Sequence, residues 1–106
     1  MKAKLLTTLT EIIGLLMSCG EITRAEWFRQ RFVVLEREAS GTANFQVVIG
    51  ELRGILVGMG SLSDLSLTPI ASSSLTRQEI RIRQWQLVDD LDGAIRALQE
   101  EHGARP

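Results

Sequence analysis

A chain of 106 residues, 44% hydrophobic and 24% charged, has room for one domain with a modest core, burying roughly 65% of its unfolded surface at this size. A two-domain enzyme is excluded, and a net charge of -1 supplies no field that would draw the chain to nucleic acid or to an anionic membrane. The single cysteine, Cys19, closes no internal disulfide, and no stretch reaches about 18 uninterrupted apolar residues, so a cytoplasmic protein without a transmembrane helix is expected.

The first predicted helix covers about residues 3–19. Leu5, Leu6, Leu9, Ile12, Ile13, Leu16 and Met17 follow the i, i+3, i+4 pattern of one buried stripe. Met1 to Lys4, the leucine-rich run and Leu16-Met17-Ser18-Cys19-Gly20 loosely resemble a bacterial lipoprotein signal. Glu11, Thr7, Thr8 and Thr10 interrupt what would be its apolar region, which favours a mature amphipathic helix. Gly20 is placed to supply the left-handed residue that closes it.

A second helix is expected over 23–39, opened by a Thr23/Glu26 capping box with Ile22 and Trp27 as its hydrophobic staple. Its apolar face is Ala25, Phe28, Phe32, Leu35 and Ala39. The third helix, over 43–57 and stopped by Gly58, carries Phe45, Val48, Ile49, Leu52, Ile55 and Leu56 at helical spacing, with Met59 continuing the stripe just beyond. Residues 58 to 75 are rich in glycine and serine and contain Pro69. They read as a long loop whose Leu65-Ser66-Leu67-Thr68 segment runs as an extended strap across the bundle. The fourth helix, over 77–101, opens with a second capping box, Thr76/Glu79, stapled by Leu75 and Ile80. At about 37 Å it overhangs its neighbours or is covered by the loop. The expected fold is all-α, a four-helix bundle-like single domain over residues 1–106, with a long Gly/Ser-rich loop between the third and fourth helices.

Two surfaces are left over by this core. On the fourth helix the core stripe is Ile80, Leu87, Val88, Leu91, Ile95 and Leu98. Ile82 and Trp85 fall outside it, among Gln78, Asp89 and Arg96, with Arg81 and Asp92 at the margin. An aromatic beside an aliphatic, ringed by charges of both signs, has the composition of an interface hot spot; the alternative is that the long loop folds over Trp85. On the third helix, Ala43, Val47, Gly50, Gly54 and Val57 form a second apolar face, with Gly50, Gly54 and Gly58 recurring every four residues. Each interior glycine costs about 1 kcal/mol against alanine, so a close helix neighbour is expected there. A central position for the third helix, with the first two on one side and the fourth on the other, would supply it. Self-association through the Gly50/Gly54 ridge is the alternative.

Catalytic chemistry is not legible. His102 lies in a terminal segment without a rigid second shell and suits a helix C-terminus. Cys19 ends a helix rather than beginning one, as a structural thiol would. No metal-ligand spacing occurs, and Asp89 and Asp90 point about 100° apart, so neither metal nor cofactor is expected. Arg77, Arg81 and Arg83 give the fourth helix a basic start and Asp89, Asp90 and Asp92 an acidic middle. That order suits a charged protein partner or antiparallel pairing of two copies, while the aspartates would repel nucleic acid.

The segment Gly58-Met59-Gly60-Ser61-Leu62-Ser63-Asp64-Leu65 resembles the Gly-Met-Gly-Ser-x-x-Asp-Leu signature of a family of small bacterial proteins of unknown function, over the first two thirds of the chain. The resemblance implies a bacterial cytoplasmic protein and brings no activity or catalytic residue. Small bacterial proteins of this class are often immunity or antitoxin partners. The expectation is therefore a non-enzymatic helical module that binds a protein partner through Ile82, Trp85, Arg81, Asp89, Asp92 and Arg96, with a homodimer as one form. Two alternatives stand beside it: a ligand-binding or catalytic protein using Gly58, Gly60, Ser61 and Asp64, with a pocket beside that loop containing Asp64 and an arginine, and a self-assembling structural homo-oligomer joined through the Gly50/Gly54 ridge or through the fourth helix.

Overall fold

The computed structural model describes residues 2–56, 62, 65–71 and 74–103, the side chains of 101–103 excepted. Among these residues there are four helices, α1 (Lys2–Ser18), α2 (Ile22–Arg37), α3 (Ala43–Gly54) and α4 (Arg77–Gly103), and no strand. The all-α, bundle-like architecture follows from the four amphipathic stripes. Leu5, Leu9, Ile12 and Leu16 of α1, Leu35 of α2, Phe45, Ile49 and Leu52 of α3, and Ile80, Leu87, Leu91 and Ile95 of α4 are all fully buried in one core.

The order of packing differs from expectation. α1, not α3, is the central helix: it packs along both α2 and α4, whereas α3 rests on α2 and touches α4 lightly. The stripe of α1 is accordingly widened by Leu15 and by Thr8, a buried hydroxyl that donates to the Lys4 carbonyl at 2.9 Å. Met17, by contrast, is 46% exposed, lining an open groove between α1 and α2 with Ile13, Ile22 and Arg29.

Local chemistry explains the helix ends. Gly20 has φ +72°, the Gly20 amide donates to the Met17 carbonyl at 3.1 Å and the Glu21 amide to the Leu16 carbonyl at 2.9 Å, the paired bonds of a Schellman closure. The chain turns so sharply that α2 begins at once, with Glu21 at its N-cap and Thr23 already inside the helix. The Thr23/Glu26 capping box therefore does not form. Glu21 and Glu26 pair instead with Arg24 at 2.6 Å and Arg29 at 2.7 Å. The other box forms as expected: the Thr76 amide donates to Glu79 at 3.0 Å and the Glu79 amide to Thr76 Oγ1 at 3.1 Å.

α3 is capped by Thr42, whose Oγ1 accepts from the Phe45 amide at 3.3 Å. It ends at Gly54, short of the predicted end at residue 57. There the Ile55 and Leu56 amides tighten onto the Leu52 and Arg53 carbonyls at 3.3 Å, and Leu56 swings into the core. Lys2 closes the far end of α2, its Nζ donating to the Glu36 and Glu38 carbonyls at 3.1 and 2.9 Å, a cation at a helix C-terminus.

The described middle of the connection from α3 to α4, residues 62 and 65–71, lies as a strap on the bundle. Leu62 and Leu67 are buried, Leu65 is half-buried, and Ser66 and Thr68 face outward. The Leu62 amide donates to the Ile55 carbonyl at 2.7 Å, and the Ile70 amide to the Ser18 carbonyl at 3.1 Å, so the segment runs from the end of α3 to the end of α1. Among the described residues, no helix is long and apolar enough to cross a membrane.

Candidate functional site

α4 carries on its outer face two exposed apolar side chains beside charges of both signs. Its core face is fixed by Ile80, Leu87, Val88, Leu91, Ile95 and Leu98, all buried, together with Ala94. With 3.6 residues per turn, that stripe forces positions 78, 82, 85, 89 and 96 outward. Ile82 is 52% exposed and Trp85 48% exposed, so the strap does not cover this tryptophan. Gln78, Arg81, Asp89 and Arg96 are exposed beside them, and Asp92 is half-buried.

The charges on this helix divide into used and unused. Arg96 pairs with Asp92 at 3.0 Å, and Arg83 reaches Glu11 of α1 at 3.0 Å. Among the described residues, Arg81 and Asp89 make no ion pair. Two apolar side chains are thus bracketed by an uncommitted cation on one side and an uncommitted anion on the other.

The strap is held on a different side of the same helix by a residue that patterning missed. Gln84 is 3% exposed, and its Nε2 donates to the Leu62 and Leu65 carbonyls at 2.8 and 2.9 Å. A polar residue inside an apolar stripe is its only sequence signal. Along this seam runs a groove of about 300 Å³ lined by Ser66, Leu67, Thr68, Arg77, Arg81 and Gln84. The loop residues Gly58, Gly60, Ser61 and Asp64, on which the expected pocket rests, lie outside the described residues.

Trp27, expected to staple Ile22, does something else. Its ring stands edge-on to Phe28 at 5.0 Å between centroids and lies under the Arg31 guanidinium at 4.0 Å. Arg31 continues to Glu51 of α3 at 3.1 Å, so this cluster joins α2 to α3. The i, i+4 spacing of Trp27 and Arg31 is the signal that could have found it. Trp27, Phe28, Arg24, Ile55, Leu62 and Leu65 line a cavity of about 100 Å³ beneath the strap, too small for more than a few atoms.

The glycine ridge of α3 is open. Val47 is 63% exposed, and a methyl group at Gly50 or Gly54 would meet nothing within 4 Å. Among the described residues, no neighbouring helix claims the close approach these glycines would allow. Cys19 is half-buried against the core, and burial, with a smaller push from the Glu21 carboxylate, raises its thiol above the ordinary value. This is the opposite of activation. The side chain of His102 lies outside the described residues. Among the described residues, no group of three or more His, Cys, Asp or Glu side chains is arranged to hold a metal ion.

Comparison of the chain with protein-family models, curated proteins and solved structures gave no match.

Proposed function

We propose that this protein is a non-enzymatic helical interaction module that binds a protein partner through the outer face of α4. One observation carries the reading: Ile82 and Trp85 stand half-exposed side by side on a rigid helix, bracketed by Arg81 and Asp89. Covering both would take on the order of 200 Å² of apolar surface from water, about 5 kcal/mol before the cost of association. An aromatic anchor with charged neighbours at its rim is the composition that dominates binding energy in protein interfaces.

The alternative, an anionic ligand held by the strap groove, is supported by Arg77 and Arg81 on one wall. Those arginines, Ser66 and Thr68 are all exposed, so an ion there competes with water at high dielectric and gains little. The interface reading is stronger for that reason. The immunity or antitoxin role implied by size and class adds no residue to this surface, and the proposal stands without it.

The test is affinity capture from the native host with the parent sequence and with Trp85→Ala, each checked for folding by circular dichroism. A stoichiometric partner that disappears with the substitution supports the reading. Retention of the same partner by Trp85→Ala, or unfolding of the variant, contradicts it.

A further inference from the structure

Resting on that reading of α4, we propose that the partner is a second copy of this chain, docked helix to helix in an antiparallel, two-fold symmetric pair whose axis passes beside Trp85. Arg81, Trp85 and Asp89 are spaced four apart and form one row along the exposed face of α4. Such i±4 rows are the ridges along which helices pack, at a crossing of about -50°. Charge along this row is antisymmetric about Trp85: the cation lies four residues before it and the anion four residues after. A two-fold axis at Trp85 reverses one helix upon the other, so Arg81 meets Asp89 of the partner subunit, and the symmetry repeats the pair.

The same arithmetic continues along the face. Gln78, seven residues before Trp85, falls opposite Asp92 of the partner subunit, where its amide can donate to the carboxylate. Ile82, three before, lies close to the axis on the same exposed face. The paired tryptophans are therefore flanked by isoleucines and then by opposite charges. Parallel pairing in register would set Arg81 on Arg81 and Asp89 on Asp89, and is disfavoured by charge alone.

Two further observations are consistent with a second copy of the chain. Arg81 and Asp89 make no ion pair among the described residues, while the neighbouring Asp92, Arg96 and Arg83 do. In addition, the net charge of -1 gives two copies almost no mutual repulsion. α4 is also accessible: it leans on α1 and lightly on α3, and does not come within 8 Å of α2 at Cα.

The test uses sedimentation equilibrium on the full chain over a dilution series, comparing the parent, Arg81→Asp, Asp89→Arg, and an equimolar mixture of the two variants. The first variant carries acid at both positions and the second carries base at both. Each should self-associate more weakly than the parent, by about tenfold or more in dissociation constant. The mixture should regain the dimer, because acid then faces base at both contacts. Regain in the mixture also shows that both variants are folded.

Variants that dimerise as well as the parent, or a mixture that stays dissociated, overturn the proposal. A monomeric parent also overturns it, and the capture experiment then separates two cases. A different protein lost with Trp85→Ala leaves the binding face standing with another occupant. No captured protein at all removes both the dimer and the binding face.

Discussion

At Gln84 a carboxamide sits at 3% exposure inside an otherwise apolar stripe, and it is tolerated because its two N–H groups are consumed by the Leu62 and Leu65 carbonyls. Gln84→Leu keeps the volume and removes both donors, leaving two strap carbonyls short of partners. We expect a loss of about 2 kcal/mol or more in urea unfolding. A loss below about 0.5 kcal/mol would mean that the strap is held by its leucines alone.

Glu79 shows the same dependence on local bonding at the surface. Hydrogen bonds from the Thr76 amide and then the Thr76 hydroxyl pull its carboxyl below the ordinary value. A depressed folded-state pKa contributes stability above the unfolded value of about 4.3, and that contribution is lost as pH falls through the folded value. In an acid titration followed by NMR, the Thr76 amide resonance should therefore move with a midpoint below the ordinary carboxylate range. A midpoint at or above that range would show that the capping box is not closed in solution.

At the scale of elements, helical periodicity makes the four helices legible, and the chemistry of their ends makes some boundaries legible too. Thr23/Glu26 and Thr76/Glu79 are the same pattern, yet only the second caps. The difference lies in what precedes each: Gly20 closes α1 so tightly that Glu21 takes the N-cap, whereas no helix closes immediately before Thr76, which follows the non-helical residues 74–75 and is left free to cap. The end of α3 is hidden from the periodicity, because Leu56 keeps the helical spacing while entering the core from a turn.

Glycines divide in the same way. Gly20 combines φ +72° with an Ile70 methyl that a Cβ would meet at 3.1 Å, so Gly20→Ala should destabilise by about 1–2 kcal/mol. Gly50 has helical backbone and open space, so Gly50→Ala should stabilise by about 0.5–1 kcal/mol. Thermal unfolding of the two variants separates these signs. Destabilisation by Gly50→Ala would mean that the ridge is occupied after all.

At the scale of the whole molecule, the amphipathic stripes give which face of each helix is buried but not which helix lies beside it. For this reason the central place of α1 is not legible in the sequence, and the glycine ridge reads as needing a neighbour that the fold does not provide. Trp85 illustrates the same limit. Its position outside the core stripe is readable, but whether the loop covers it depends on Gln84 drawing Leu62 and Leu65 to another side of α4.

If the outer face of α4 is the binding surface, it is open in the free chain and closed by association. Acrylamide quenching in a Trp27→Phe background reports on this most directly, since Trp85 is then the sole tryptophan and the replacement ring keeps the apolar packing on Phe28. We predict a readily quenched Trp85 in the dilute protein and a shielded one in the concentrated or captured complex. A Trp85 equally shielded at every dilution, or equally quenched in the complex, would contradict the binding role of this face.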